Sequence, residues 1–175
     1  MENIKRESIH ISNVEVDSNQ HFLILDDDWN VNEMVKEFLQ IIGFGGNIHQ
    51  AYSIKEAKSI LSDNQINYIL CDWDLPDGQG ISLLKDIRMK DEFKELPFLM
   101  ITGHDDVESM INCSKQGASD YLVKPFTFEG LKDKLVDGWN THRTLNQESD
   151  EDYVSVLESE RERLLNRNKE LEEQI

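Results

Sequence analysis

Short apolar runs alternate with longer segments of helical spacing between residues 21 and 143. The first run, Phe22–Asp26, is continuous and ends in an acidic residue, which predicts a short buried strand. From Val31 to Ile42 apolar residues recur every three or four positions, as they do on the inner face of a helix. Three glycines within residues 43–46 predict the end of that helix.

The same alternation continues to the end of this region. Further strands are predicted at 47–52, 68–71, 97–101 and 121–123, and a helix is predicted after each of them. Capping residues support three of the helix starts: Asn30 with Glu33, Ser53 with Glu56, and Thr127. Five strands that alternate with five helices predict an α/β fold, a doubly wound parallel sheet with helices on both faces.

Polar side chains stand at the carboxyl ends of four predicted strands, where ligands bind in such sheets. Asp26 and Asp27 end the first strand, Asp72 ends the third, Thr102 the fourth and Lys124 the fifth. Clustered carboxylates repel one another unless a cation neutralises them, and oxygen ligands with spare water positions suit Mg²⁺. A carboxylate can also attack a phosphoryl group, whose oxygens then need an ammonium and a hydroxyl donor. One edge of the sheet therefore combines the parts of a phosphoryl-transfer site.

Four sequence motifs carry a resemblance to a known family. They are LILDDDWN at 23–30, CDWDLPDGQG at 71–80, MITG at 100–103 and GASDYLVKPF at 117–126. In order and spacing they resemble the receiver domain of two-component response regulators, over residues 20–143. The resemblance implies a flavodoxin-like sheet with strand order 2-1-3-4-5. It also implies phosphorylation by a sensor histidine kinase or a phosphotransfer protein. Apart from this self-catalysed transfer and the loss of the phosphoryl group, no enzyme activity is implied.

The resemblance assigns the acceptor and the metal ligands residue by residue. Asp72 corresponds to the phosphoryl acceptor. Asp27 would bind Mg²⁺ directly and Asp26 largely through water. Asp72 and the backbone carbonyl of Asp74 would complete the protein ligands of the ion.

The remaining matches concern the phosphoryl group and the response to it. Thr102 would contact the phosphoryl group and Lys124 would pair with it. Tyr121 corresponds to an aromatic switch residue that turns inward when the threonine shifts, although a simple core position is the alternative. The bond between Lys124 and Pro125 is expected to be cis, as in the family.

Asp74 departs from the family pattern, which more often has an uncharged or basic side chain at this position. We hypothesise that its carboxylate faces the mouth of the site and slows access of the phosphoryl donor, or steers the hydrolytic water. A solvated side chain without a role is the alternative. Trp73 either lines the site or packs, and His104 is assigned no role because a lone histidine is usually a surface residue.

Composition and charge limit the other functions. The 175 residues have a formal net charge of −17, which argues against nucleic acid as a partner because phosphate backbones bind clustered Lys and Arg. Apolar runs are too short for a membrane span or a signal peptide, so we expect a cytoplasmic protein without a membrane contact. Cys71 and Cys113 form no CxxC pair and are predicted to be buried free thiols.

Segments on either side of the receiver-like region have their own patterns. Residues 1–20 are polar, and we expect a mobile extension that could contain a short strand. Residues 144–175 lack glycine and proline and are predicted to continue the last receiver helix as a coiled coil. Its heptad positions are Leu157, Leu164 and Leu171 at d, and Val154, Arg161, Asn168 and Ile175 at a. Leucine at d favours a parallel homodimer whose register paired Asn168 side chains would fix, and a single amphipathic helix folded back on its domain is the alternative.

Two other functions compete with that of a signalling switch. In the phosphatases of the haloacid-dehalogenase type, a motif similar to CDWDL carries the nucleophile, but their second acidic pair follows the lysine strand. Here the acidic pair precedes everything, and residues 127–175 have a helical pattern. A silent receiver that serves only as a coiled-coil adaptor would have lost an acceptor, metal or lysine residue, and none is lost.

Overall fold

Residues 8–11 and 14–144 are described by a computed structural model, and this part of the chain contains nine strands and five α-helices. A short 3-10 helix, Asp91–Phe93, lies between the third helix and the eighth strand. In chain order the elements are β1 (Ser8–Ile11), β2 (Val14–Asp17), β3 (Phe22–Leu25), α1 (Trp29–Ile42), β4 (Ile48–Ala51), α2 (Ile54–Asp63), β5 (Tyr68–Asp72), β6 (Asp74–Leu75), β7 (Gly78–Gln79), α3 (Gly80–Arg88), β8 (Phe98–Thr102), α4 (Val107–Lys115), β9 (Asp120–Val123) and α5 (Phe128–Thr144).

Five of these strands form one parallel sheet in the order β4-β3-β5-β8-β9. When the five strands of this sheet are numbered in chain order, their order in the sheet is 2-1-3-4-5, as predicted. The predicted α/β fold is confirmed. Each of the five predicted strands is present, with its ends shifted by no more than one residue. The register pairs Leu25 with Cys71 and Asp72 with Ile101, so neighbouring strands end at the same edge.

Both faces of the sheet are buried, because successive strand side chains point to opposite sides. Leu23, Leu25, Ile69 and Cys71 belong to the apolar cluster that includes buried residues of α2 and α3. The residues that alternate with them join a second cluster, which includes buried residues of α1 and α5. The continuous apolar runs of the sequence are therefore explained by a sheet covered on both sides.

The starts of three helices test the capping predictions. The N-cap of α1 is Asp28, whose carboxylate accepts from the backbone N–H of Asn30 at 2.8 Å, so the predicted cap at Asn30 is wrong. An aspartate caps a helix as well as an asparagine does, and Asp28 directly precedes the first helical residue, Trp29. Ser53 caps α2 by accepting from the Glu56 N–H at 3.2 Å, and Thr127 accepts from the Gly130 N–H at 3.1 Å.

An antiparallel hairpin of β1 and β2 precedes the main sheet, within the segment for which we expected a mobile extension. Ile11 and Val16 are buried in the cluster of α1 and α5, and Ile9 packs against that cluster. Two short strands therefore lie within this segment, at residues 8–11 and 14–17. The alternation of apolar residues at 9, 11, 14 and 16 is the signal of these strands.

A second small hairpin, formed by β6 and β7, replaces the loop predicted after β5. Its turn carries Asp77, whose two carboxylate oxygens accept from the backbone N–H groups of Ile54 and Lys55 at 2.8 and 2.9 Å. These bonds satisfy amides in the first turn of α2, which the helix leaves unpaired. The hairpin is thereby tied to the helix beside it.

Three further expectations concern the cysteines, the tail and the membrane. Cys71 and Cys113 are buried free thiols, as predicted. The predicted coiled coil lies outside the described residues beyond Thr144, so its heptad residues stay a prediction. Among the helices of residues 8–11 and 14–144, none has the length and apolar character of a membrane-spanning segment.

Candidate functional site

The carboxyl edge of the sheet brings the predicted site residues together. Asp72 and Thr102 are the last residues of β5 and β8, while Asp26 and Lys124 follow β3 and β9 directly. Since these four strands are parallel neighbours in a fixed register, their ends meet at one place. Asp26 and Lys124 are 98 residues apart in the sequence, and the strand order brings them together.

Three carboxylates form a compact acidic cluster at this edge. One carboxylate oxygen each of Asp26, Asp27 and Asp72 lies within 4.8 Å of the others. Asp26 and Asp72 are 3% and 8% exposed, whereas Asp27 is exposed. The cluster therefore has a buried floor and one open side through which a small ligand can approach.

Lys124 supplies the positive charge of the cluster. Its Nζ donates to Asp26 Oδ2 at 2.5 Å and lies 3.2 Å from Asp72 Oδ2. Burial, followed by the charge of Asp26, raises the pKa of Asp72. Burial favours the neutral amine of Lys124, but the hydrogen bond and charge of Asp26, with those of Asp72, outweigh it and raise its pKa. A further cation beside Asp72 would relieve the repulsion between the carboxylates.

The hydroxyl of Thr102 and the ring of Tyr121 are held by one residue, His104. Thr102 is fully buried, and its Oγ1 accepts from the His104 backbone N–H at 3.2 Å. The Tyr121 ring is buried at 9% exposure, and its hydroxyl donates to the His104 backbone carbonyl at 2.5 Å. The two predicted switch residues are therefore coupled through the backbone of the β8–α4 loop.

At the mouth of the site the side chains of Asp74 and His104 meet. His104 Nε2 lies 2.9 Å from Asp74 Oδ2, and both side chains are largely exposed. Trp73, by contrast, is buried at 7% exposure and packs in the α2–α3 cluster, with its ring centroid 5.5 Å from that of His104. The Asp74 carboxylate thus contacts His104, while its gating role and the role of its backbone carbonyl as a metal ligand stay predictions.

Sequence reasoning missed two residues of the site. His104 received no role, and its only signal was its position two residues after Thr102. Asn32 was also missed, although it is fully buried and its Nδ2 donates to the Asp26 carbonyl at 2.6 Å. A polar residue three positions before Val35 and seven before Leu39, on the inner stripe of α1, was the signal that could have found it.

Two backbone features fix the loops around the site. The Lys124–Pro125 peptide bond is cis, as expected from the sequence resemblance. Gly80 donates its N–H to the Trp73 carbonyl at 2.7 Å, and a Cβ at this position would lie 2.1 Å from the Asp72 carbonyl oxygen. Any side chain at position 80 would therefore push against the acceptor residue itself.

The donor set of the cluster fits a magnesium ion. Its ligands are carboxylate oxygens only, in contrast to the nitrogen and sulfur donors that hold zinc. Three carboxylates and one ammonium leave two negative charges, which a single divalent cation neutralises. The exposed side at Asp27 leaves room for the water molecules that Mg²⁺ retains in proteins.

Comparison with known sequences identifies similar proteins over this region. Residues 22–136 match the family described as the response regulator receiver domain. Chemotaxis protein CheY-3 of Vibrio cholerae serotype O1 is 38% identical over 120 residues, which are 69% of this chain and 92% of the relative. Chemotaxis protein CheY1 of Helicobacter pylori is 29% identical over 113 residues, which are 65% of this chain and 91% of the relative.

Solved structures show the same fold. The chemotaxis response regulator CheY4 of Vibrio cholerae superimposes with a TM-score of 0.63 at 28% identity, over 68% of this chain and 98% of that protein. The Francisella response regulator 1452 receiver domain gives a TM-score of 0.62 at 30% identity, over 70% of this chain and 99% of that protein. The family match at residues 22–136 contains every residue of the candidate site described above.

Proposed function

This chain belongs to the response regulator receiver family of two-component signalling, and we propose that Asp72 is its phosphoryl acceptor. The observation that carries the proposal is the contact of Asp72 with Lys124 within the acidic cluster. Its Oδ2 faces the Lys124 ammonium at 3.2 Å, and one of its carboxylate oxygens lies within 4.8 Å of oxygens of Asp26 and Asp27. A sensor histidine kinase or a phosphotransfer protein is the proposed donor.

The proposed reaction transfers a phosphoryl group from a phosphohistidine. A carboxylate oxygen of Asp72 forms a bond to phosphorus while the phosphorus–nitrogen bond breaks, and the imidazole nitrogen keeps the electron pair and takes a proton. Asp72 then carries an acyl phosphate. Water later attacks phosphorus, which releases inorganic phosphate and restores the carboxylate.

Other residues of this chain prepare and stabilise that step. The charge and hydrogen bond of Lys124 lower the pKa of Asp72 against the effect of burial, and its ammonium can pair with a phosphoryl oxygen next to Asp72. The Thr102 hydroxyl, whose Oγ1 accepts from the His104 N–H, can donate its hydrogen to a phosphoryl oxygen. Mg²⁺, held by Asp26, Asp27, Asp72 and the Asp74 carbonyl, would neutralise charge on the transferred group.

The output is proposed to pass through the β8–α4 loop, β9 and the chain that follows α5. Phosphorylation draws Thr102 toward the phosphoryl group. The His104 backbone N–H donates to Thr102 Oγ1, and the Tyr121 hydroxyl donates to the His104 carbonyl. The predicted coiled coil after α5 would then report the change as a difference in homodimerisation or in binding to a partner. This part of the proposal rests on the sequence pattern of residues 144–175.

A phosphatase of the haloacid-dehalogenase type is the second candidate, and one observation disfavours it. That chemistry needs a second acidic pair after the strand that carries the lysine. In the described chain, α5 starts only three residues after Pro125, and no strand follows it up to Thr144. The acidic pair instead follows β3, the first strand of the main sheet.

The acceptor is tested by incubating the protein with acetyl phosphate and Mg²⁺ and measuring its intact mass. We expect a mass gain of one phosphoryl group that hydroxylamine removes, because hydroxylamine cleaves acyl phosphates. Asp72→Asn should not gain this mass, whereas the matched control Asp133→Asn, an exposed acid on α5, should behave as the parent does. A gain that persists in Asp72→Asn would contradict the assignment.

The output is tested by light scattering with Mg²⁺ and beryllofluoride, a mimic of the acyl phosphate. A change in association or shape in the parent, but not in Asp72→Ala, supports a switch that acts through the tail. A parent that is dimeric throughout and does not respond indicates that the tail is a constitutive clamp.

A further inference from the structure

Buried polar side chains are few in this protein, and most have an evident purpose. In the part of the chain that the structure describes, five polar or charged residues are buried: Asp26, Asn32, Asp72, Thr102 and Ser119. Three of them are predicted site residues. Ser119 lies at the opposite edge of the sheet, where its Oγ accepts from the Phe98 N–H at 2.8 Å. Asn32, in α1, lies beside the acidic cluster, and sequence reasoning left it without a role.

The Asn32 amide binds the backbone at the ends of two neighbouring strands, β3 and β4. Its Nδ2 donates to the Asp26 carbonyl at 2.6 Å and to the Ala51 carbonyl at 3.3 Å. The Ala51 carbonyl also accepts from the Asp26 N–H at 3.2 Å. One amide group thereby joins the turn after β3 to the end of β4. Both partners are pure acceptors, so only the amino side of the amide can face them.

We infer that Asn32 is a positioning residue for Asp26 and that it sets the affinity of the site for Mg²⁺. The Asp26 carboxylate is already held by the Asp28 N–H on Oδ1 and by Lys124 on Oδ2. Asn32 in addition holds the backbone carbonyl of Asp26, and so fixes the position of the main chain that carries this carboxylate. The inference rests on the proposed function, since it concerns the ion that the acidic cluster would hold.

A purely structural role explains Asn32 less well. Its Oδ1 is buried and has no hydrogen-bond partner among residues 8–11 and 14–144, so the side chain leaves part of its bonding capacity unused. A buried polar atom of this kind costs about 1–3 kcal/mol, which an apolar residue would avoid. The neighbouring inward residues of α1, Val35 and Leu39, are apolar. What Asn32 offers and an apolar residue does not is the pair of bonds to Asp26 and Ala51.

The inference is tested by titrating Mg²⁺ into folded protein and following tryptophan fluorescence, since Trp73 adjoins Asp72 in the chain. Asn32→Asp has the same shape but turns oxygens toward two carbonyls, and Asn32→Ala removes the contact without a charge. Ser119→Ala is the matched control, because it removes a buried hydrogen bond far from the cluster. The free energy of unfolding of each variant is measured in EDTA.

We expect the dissociation constant for Mg²⁺ to rise about tenfold in both Asn32 variants, as when residues that support metal ligands are changed. Ser119→Ala should lose stability but keep the affinity of the parent. If Asn32→Asp does not fold, Asn32→Ala carries the test. If the Asn32 variants bind Mg²⁺ with the affinity of the parent but are less stable, the inference is overturned and the proposed function is not. A parent that binds no Mg²⁺ would overturn the proposed function and the inference with it.

Discussion

The hydroxyl of Tyr121 donates a 2.5 Å hydrogen bond to the backbone carbonyl of His104. The same residue donates its backbone N–H to Thr102, so a loop residue links the two side chains in addition to the pairing of β8 with β9 in the sheet. A displacement of Thr102 at the acceptor site therefore acts directly on the loop that holds the Tyr121 ring.

Tyr121→Phe should weaken that connection while it keeps the buried ring. We expect a loss of about 1 kcal/mol in the free energy of unfolding, because one neutral hydrogen bond is lost. The light-scattering response to beryllofluoride should shrink in this variant, while its phosphorylation at Asp72 should persist. Tyr52→Phe, which removes a hydroxyl outside the site, is the control. An unchanged response in Tyr121→Phe would show that the hydroxyl does not carry the signal.

Asp74→Asn should accelerate phosphorylation by acetyl phosphate. The Asp74 carboxylate stands exposed at the mouth beside His104, so it repels an anionic donor. We expect a rate increase of roughly threefold at low ionic strength, and less at high salt, because the charge is screened there. Asp133→Asn changes the net charge equally and should have no such effect. Equal rates for Asp74→Asn and the parent would refute the hypothesis of a gating carboxylate.

Arg88→Met should destabilise the fold strongly. The Arg88 guanidinium donates to the carbonyls of Gly117, Phe93 and Leu96 at 2.9, 2.7 and 2.7 Å, and burial lowers its pKa to about 10. The change leaves these acceptors without their donor, so we expect unfolding in urea to show a loss of about 2–4 kcal/mol. The exposed residue Lys90 provides the control. The free energy of unfolding of Lys90→Met should lie within about 0.5 kcal/mol of that of the parent.

The stability of the protein should fall as the pH is lowered below about 6.5, the ordinary pKa of histidine. Burial, and then the charge of His21, lowers the pKa of His49, whose ring stacks on that of His21 with centroids 5.9 Å apart. The unfolded chain therefore takes up a proton at His49 at a higher pH than the folded chain does. Full stability is present above the unfolded pKa and is lost as the pH falls through the folded pKa.

This dependence is measured from urea unfolding curves between pH 7.5 and pH 5.5, a range in which ordinary carboxyl groups stay ionised, as their pKa values lie near about 4. His49→Gln should flatten the slope of stability against pH. His10→Gln, which changes an exposed histidine of β1, should leave it as in the parent. A parental slope in His49→Gln would assign the acid sensitivity to another group.

Much of this structure follows from local sequence signals. Continuous apolar runs predicted the buried strands, and the polar residues at their ends met because parallel strands share an edge. The cap at Asp28 was misplaced because two good N-cap residues, Asp28 and Asn30, stand two positions apart. Only the backbone conformation decides between them, and composition cannot.

Other parts of the site depend on tertiary contacts that no local pattern contains. His104 acquires its contacts to Asp74 in β6 and Tyr121 in β9 from segments 30 and 17 residues away in the chain. Asn32 reads as a polar interruption of an amphipathic helix until its amide is found between two strand ends. Such residues become recognisable only when buried polar groups are matched with their partners.

The N-terminal hairpin lies outside the family match but contributes to the buried core. The family match begins at residue 22, but the buried core already begins at Ile11, which shares an apolar cluster with Phe44 and Trp139. A gene fusion or a truncation placed at the family boundary would therefore cut through the core instead of beside it.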